Sequence, residues 1–516
     1  MLTKSDLQSL LQCTRKLWLE HNRQDLIDRD SPLLYRRAVD GNIVGEKARQ
    51  QLGDDFIWPP AAADKSTAAR NALVLLAAAP GRAAAEFPMV RDNLYARADA
   101  LVPSNGGYAL RETKSSTFPL KKDNVSPDAP EEHYVRDVAI QAWVMEGAGL
   151  PLAQVELNLL NNRWHYPGSG DYSGLFRQLD VTAEAREQMG NVPAWIQQGE
   201  ATLAGKMPQL STGKQCSSPY DCPFLAYCEG LEPAGPEHPI ELLPDSAGKG
   251  LARKLREAKG YVSILEPSPE ELTGKQSALY RRIQQAHRTG NGVFEPGSDG
   301  ILTALPYPRY FFDFEGIDFP VPRWAGVRPY EQIPFQWSCH IERQPGVFTH
   351  AEFLDLTGDD PSLPCITGMR NVIDPEDNGP IIVYHATYER GRIRELAERH
   401  PEHAALLQRY LDRIFDLLPV VKEHFYHPRM EGSFSIKKVL PVVAPELDYA
   451  TLGEVQEGTA AQVAYLYATL DPNTTPERKA DLEAKLRVYC RQDTWAMVEV
   501  AYFLARQARP IRPAGM

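Results

Sequence analysis

The stretch RYFFDFEG, residues 309–316, decides how the second half of the chain is read. Its aromatic residues favour a pleated strand. Side chains two apart on a strand share a face, so Asp313 and Glu315 point one way while Phe312 and Phe314 point the other. Burying two neighbouring carboxylates without a cation is costly. The flanking aromatics argue against an edge strand with solvated acids. Asp313 and Glu315 are therefore candidate metal ligands.

Working outward, PFQWSCHIE and PIIVYH continue the β pattern before helical patterns take over. PIIVYHATYERGRI reads as a buried strand followed by a helix, with Glu389 in the first turn. The last long helical pattern runs from about Pro476 to Arg506. Within it Tyr489 and Asp493 are four apart and share a face. Strands followed by helices predict a mixed α/β domain. Asp416, in RIFDLL, is a rival acid that reads better as a polar strand end. Lys437 and Lys438, in GSFSIKKVLP, are candidates for phosphate contacts or for a solvated helix face.

Upstream, residues 93–103 alternate as a strand, and SNGG at 104–107 is a turn signal. Residues 108–114 return as a second strand. With Pro103 facing Tyr108, Asp99 falls opposite Glu112, and Lys114 shares the face of Glu112. Opposed carboxylates destabilise a sheet unless a divalent cation lies between them. Glu86 precedes this hairpin in AEFPMV, and Gln141 follows in the helical stretch VRDVAIQAWVMEGAG.

The chain has seven cysteines. Cys216, Cys222 and Cys228 have five residues between each successive pair in GKQCSSPYDCPFLAYCEG. Cys13 lies far away in SDLQSLLQCTRKLWLEH, which reads as one helix with a Ser5–Gln8 capping box. Iron–sulfur clusters take four thiolates, one of which can be remote in sequence. Zinc usually prefers closer pairs. Cys13 alone would pack as a small apolar residue.

Between the halves, LEPAGPEHPIELLPDSAG and NGVFEPGSDG are rich in Pro and Gly, with helical pieces at 249–258 and 271–288. The expected organisation is a domain at 1–232, a partly helical connector at 233–300 and a domain at 301–516. A chain of 516 residues with 43% hydrophobic content is long enough for two cores. The net charge of −12 argues against a protein that coats nucleic acid, but not against a nuclease whose metal sites consume carboxylates. The N-terminus lacks a signal-peptide core, and no apolar run approaches the ~20 residues that span a bilayer. A cytoplasmic protein without a membrane partner is expected.

The order Glu86, Asp99, Glu112-Thr-Lys114 and helical Gln141 resembles the PD-(D/E)XK nucleases of the RecB type, including the CRISPR-adaptation exonucleases with cysteine clusters. The resemblance implies a restriction-endonuclease-like α/β domain. Asp99 and Glu112 would bind metal, Lys114 would be catalytic, Gln141 would support the site and Glu86 would be an outer ligand. It also implies that Cys13, Cys216, Cys222 and Cys228 hold a 4Fe-4S cluster that staples the first helix to the last segment. This chain departs at GNIVGEKAR, which has no metal-binding His, and at Met145, where relatives often carry Tyr.

The D-x-E strand, the acid after a buried strand and the late Tyr-x3-Asp together resemble the DEDD exonucleases of the RNase H-like fold, in the subtype with a tyrosine. By that resemblance Asp313, Glu315, Glu389 and Asp493 bind two Mg²⁺ or Mn²⁺ ions and Tyr489 orients the attacking water. The second motif departs, with Glu389 where Asp is usual. The whole order resembles a bacterial family that fuses these two halves. It implies a metal-dependent nuclease acting on DNA or RNA, with single-stranded DNA favoured and 3′-5′ action in the C-terminal half. Two alternatives remain open: a nucleic-acid-binding protein whose C-terminal site alone is active, and a zinc-stapled scaffold.

Overall fold

A computed structural model of the chain describes residues 1–29, 31–123, 126–447 and 449–512. It is mixed α/β and divides into two compact units. The first comprises Met1–Pro233 with Asp318–Glu331, the second Ala234–Ile317 with Gln332–Met516. Among the described residues, no helix is long and apolar enough to cross a membrane.

The first unit is built on a seven-stranded mixed sheet: β1 (Leu2–Thr3), β2 (Phe56–Ile57), β3 (Ala83–Arg91), β4 (Leu94–Ser104), β5 (Gly107–Thr117), β6 (Leu152–Leu160) and β7 (Phe176–Asp180). The order is β2-β3-β4-β5-β6-β7, with β1 pairing onto β4. The register of the β4–β5 hairpin is as read from the sequence, with Pro103 opposite Tyr108. The turn is tighter than expected. Ser104 pairs with Gly107, which leaves only Asn105 and Gly106 at the tip, with Gly106 at φ +84. Along β4, Leu94, Ala96, Ala98 and Ala100 are buried, which leaves Asp99 on the other face. Helix Glu132–Gly147 is buried over most of its circumference from Val138 to Met145, as befits a helix pressed into a core.

The N-terminal helix differs from expectation. It starts earlier, because the pairing of Thr3 with Tyr95 holds Thr3 extended. Thr3, not Ser5, is therefore the cap, and Asp6 completes the capping box. The helix is also broken. Cys13, at φ −165 and ψ 122, separates helix Lys4–Gln12 from helix Thr14–Asn22. The break puts the thiol at the joint between two helices.

The second unit holds a five-stranded sheet of β9 (Arg309–Ile317), β10 (Ile333–Gln344), β11 (Val347–Leu354), β12 (Ile381–Val383) and β13 (Ile414–Asp416), in the order β11-β10-β9-β12-β13. The β11–β10–β9 pairs are antiparallel, whereas β9–β12 and β12–β13 are parallel. A two-stranded ribbon pairs β8 (Val293–Phe294) with β14 (Phe425–Tyr426). The final helix, Pro476–Leu504, packs along β9 and β10. The connector expected at 233–300 instead folds, from Ala234 onward, into this unit. Its helices Asp245–Lys259 and Ser277–Thr289 are amphipathic, and Leu255, Leu279 and Ile283 join Trp495 and Val498 in one core.

Residues 318–331, read as part of the C-terminal domain, fold with the first unit. Arg36 pairs with Asp318 at 2.6 Å, Tyr330 Oη donates to the Ser115 carbonyl at 2.5 Å, and Val321 enters a small core with Val44, Leu160 and Phe176.

Candidate metal centres

In the second unit, β9 carries Asp313 and Glu315, while the Phe312 and Phe314 rings pack edge-to-face at 4.7 Å in the core beneath. A bulge in β10 beside Glu315 shifts the register between Pro334 and Gln336. Such bulges re-aim side chains next to sites. Asp493 reaches the pair from the final helix. One ligand atom each of Asp313, Glu315 and Asp493 lies within 4.8 Å of the others. Glu389, in the first turn of helix Thr387–Arg399, lies near enough for its charge to act on Asp313.

Electrostatics agree with the geometry. Burial, then the charges of Asp493, Glu315 and Glu389, push Asp313 well above the usual carboxylate range. Burial and Asp493 raise Glu315 to about 8, and burial raises Glu389 to about 7 and Asp493 to about 6. Glu389 Oε2 is buried without a hydrogen-bond partner. Four acids that repel one another, one with an orphaned oxygen, suit hard divalent cations bound through oxygen. Asp313, Glu315 and Asp493 therefore fit a divalent cation, whereas Glu389 lies outside the three acids that converge.

Tyr489 lies four residues before Asp493 and lines the same cavity as Glu315 and Asp493. Tyr449 was not foreseen. It sits in the turn Tyr449–Leu452 and donates to Asp493 Oδ1 at 2.5 Å. A cavity of about 320 Å³ opens over Asp313, Glu315 and Asp493, with Lys437, Tyr384 and Tyr388 in its wall. Gly316 keeps this wall thin, since a Cβ there would come within 2.5 Å of Tyr388 Oη. Lys438 points elsewhere and pairs with Glu431 at 2.5 Å.

Asp416 is not in the acid group. It caps helix Leu417–His424 through the Leu418 amide at 3.0 Å and accepts the His385 and Ala386 amides at 2.9 and 3.0 Å. These bonds hold His385 at φ +70, just ahead of Glu389. Asp416→Ala should cost about 1–2 kcal/mol in denaturant unfolding, as loss of a cap does. A loss within error would mean that the turn holds itself.

In the first unit, Asp99 accepts the Thr113 amide at 2.8 Å. Glu112 Oε1 accepts from Lys114 at 2.7 Å and from Lys4 at 2.8 Å, and Oε2 accepts from Gln141 at 2.8 Å. Both lysines also pair with Asp137, one turn before Gln141 on the same helix face. Lys4 and Asp137 were not foreseen. Burial alone would raise Glu112, but Lys114 and Lys4 outweigh it and hold its carboxyl below the usual range. Burial, then Glu112, raises Asp99 to about 7. Glu86 stands apart, bound to Arg97 at 2.9 Å and Arg49 at 3.4 Å. A cavity of about 510 Å³ is lined by Asp99, Glu112, Glu86 and the helix containing Gly45 and Glu46. Asp99 and Glu112 line this cavity together, and Lys4, Lys114 and Gln141 already engage both oxygens of Glu112.

Burial pushes the Cys222 thiol up, and Cys13 and Cys216 are near enough to act on it. Cys228 is buried in the small apolar cluster that Cys222 borders. Gln12 donates to the Gln215 and Tyr220 carbonyls at 2.9 and 2.6 Å, which ties the first helix to the cysteine loop. Among the described residues, no three of these thiols lie within reach of a single ion. A zinc tetrahedron, with Zn–S of about 2.3 Å, would bring them that close. The four cysteines expected to share a cluster are thus not gathered into a compact ligand set among the described residues.

Comparison with known proteins adds three likenesses. Residues 310–435 match the profile of a domain of unknown function, DUF2779, a span that includes Asp313, Glu315 and Glu389 but not Asp493. The chain is 25% identical over 226 residues to "Uncharacterized protein UU173" of Ureaplasma parvum serovar 3 (strain ATCC 700970). That match covers 40% of this chain and 32% of the relative, so the chain spans about a third of its length. A solved protein described as "Crystal structure of SSO0001" is similar at 14% identity over 45% of this chain and 87% of that one. Its TM-score of 0.25 is too low to bear on fold or function.

Proposed function

We propose that this chain is a metal-dependent nuclease that hydrolyses phosphodiester bonds in DNA or RNA, with its cutting centre at Asp313, Glu315, Glu389 and Asp493. One observation carries the reading: three carboxylates from two elements converge within 4.8 Å in a largely buried setting. Such a set is costly unless cations neutralise it. Two Mg²⁺ or Mn²⁺ ions held there would activate water and stabilise the attacking and leaving oxygens of an in-line displacement. Tyr489 orients the water, and Tyr449 fixes the carboxylate of Asp493. Water oxygen adds to phosphorus, and the bond from phosphorus to the 3′ oxygen of the preceding nucleotide breaks. A nucleoside 5′-monophosphate leaves from the 3′ end.

In finer detail, the second unit is proposed as an RNase H-like DEDD domain and the first as a RecB-like PD-(D/E)XK domain. A second reading of the first unit has specific support. Lys4 and Lys114 already neutralise Glu112 and Asp137. On that reading the first unit positions nucleic acid and the second alone cuts. End-labelled single- and double-stranded DNA and RNA, incubated with Mn²⁺ and with EDTA, test the main proposal. Metal-dependent shortening from the 3′ end is expected, and intact substrates throughout would reject it.

Cys13, Cys216, Cys222 and Cys228 are proposed to hold a 4Fe-4S cluster with a structural task, supported by the Gln12 tie and by the action of Cys13 and Cys216 on Cys222. Protein purified without oxygen should be brown and contain iron and sulfide in equal amounts. Colourless protein with stoichiometric zinc would favour the scaffold alternative.

A further inference from the structure

The second unit's cavity contains one lysine beside the acid cluster, whose charge acts on Glu315 and Asp493. Lys437 opens helix Ile436–Val443 and lines the same wall as Asp313, Glu315 and Asp493. Its ammonium donates to the Gln456 carbonyl at 2.8 Å. It also stands 5.6 Å over the rings of both Tyr449 and Tyr489. Ring faces attract ammonium ions, so these contacts fix its position without spending a donor. A lysine ammonium has three N–H bonds, and Gln456 takes one.

Charge bookkeeping gives this cation a task. The carboxylates of Asp313, Glu315, Glu389 and Asp493 carry four negative charges when ionised, which two divalent cations cancel. A phosphodiester then brings one more negative charge, and further charge collects on its non-bridging oxygens during displacement. Fixed positive groups aimed at that charge are the strongest aid a site can offer. Among the described residues lining this cavity, Lys437 is the cation.

We propose that Lys437 binds a non-bridging oxygen of the substrate phosphate and holds it as negative charge develops. The assignment rests on the nuclease reading for its catalytic half, but its binding half is tested separately. The probe is thymidine 5′-monophosphate, a product of the proposed reaction. Its affinity for the full-length, Mn²⁺-loaded protein is measured by calorimetry, and Mn²⁺ affinity by electron paramagnetic resonance. Lys437→Met and Lys437→Gln should weaken the nucleotide about 10-fold, the worth of one charged hydrogen bond. Both should bind Mn²⁺ at least as tightly as the native chain, because a nearby positive charge is gone. Lys437→Arg should keep most of the affinity. On a labelled oligonucleotide, turnover should fall about 100-fold in the neutral variants.

Unchanged nucleotide binding in both neutral variants overturns the assignment. So does a parallel loss of Mn²⁺, which would make Lys437 part of the metal cradle. A native chain that binds no nucleotide overturns it as well. A native chain that binds Mn²⁺ and nucleotide but cuts nothing removes the nuclease reading and leaves Lys437 as a phosphate-binding residue.

Discussion

Asp313→Asn is expected to abolish Mn²⁺-dependent cutting, with a loss of about 1,000-fold or more, while making the metal-free protein harder to unfold. The first half follows from the position of the residue. Asp313 meets Asp493 and Glu315 in one place and also feels the charge of Glu389. An amide there removes one negative ligand, and with it several kcal/mol of the stabilisation that bound ions give a displacement. The second half follows from the cost of the same residue when no ion is present. Its carboxyl is pushed well above the usual range by burial and by three neighbouring acids. An amide of the same shape escapes that repulsion. The paired outcome separates a lost site from a damaged fold, because misfolding would lower stability as well. Cutting rates on an end-labelled oligonucleotide and melting curves in EDTA decide it. Should Asp99→Asn abolish cutting while Asp313→Asn leaves it intact, the nuclease centre belongs to the first unit.

The second large effect concerns pH. Without metal, the second unit should lose stability as pH rises from about 5 to 8, by on the order of a few kcal/mol. Glu315 is raised to about 8, Glu389 to about 7 and Asp493 to about 6. A group whose folded pKa is raised keeps its proton in the native state after the unfolded chain has released it. The native state then binds more protons across this window, and its stability falls with rising pH. Mn²⁺ should reverse the trend, because ionised carboxylates bind it best. At a hundred times its dissociation constant an ion adds about 2.7 kcal/mol. The rise in melting temperature with Mn²⁺ should therefore be larger at pH 8 than at pH 5.5. Glu112 acts in the opposite sense, since its carboxyl lies below the usual range. Its contribution is lost only as pH falls below the ordinary carboxylate range, outside this window. Asp99 adds to the main trend from the first unit, and Asp99→Asn removes that addition. Melting that is indifferent to Mn²⁺ at pH 8 would reject a metal centre in the second unit.

What could be read from the sequence is what local geometry governs. The pairing of Asp313 with Glu315 follows from the two-residue period of a strand, and that of Tyr489 with Asp493 from the helical repeat. The β4–β5 register follows from a short turn that admits few alternatives. The residues that escaped notice reach their partners through tertiary packing. Lys4 lies 108 positions from Glu112, and Tyr449 lies 44 from Asp493. No spacing rule connects them. Asp137 is a partial exception, because its separation of four from Gln141 marks a shared face that could have been noticed. The helix break at Cys13 was hidden for another reason. Its surroundings are ordinary helix formers, and the extended conformation comes from how two short helices pack.

The excursion of residues 318–331 has a consequence for how this protein can be divided. The polypeptide passes from the first unit to the second after Pro233, back after Ile317 and across again after Glu331. A fragment that stops at 233 would leave Arg36 without Asp318 and the Ser115 carbonyl without Tyr330. It would also bare the apolar faces of Val44, Leu160 and Phe176 that Val321 covers. The complementary fragment would carry residues 318–331 between β9 and β10 as an intact loop stripped of its partners, next to Glu315. Gene fission at the midpoint would thus yield two incomplete products.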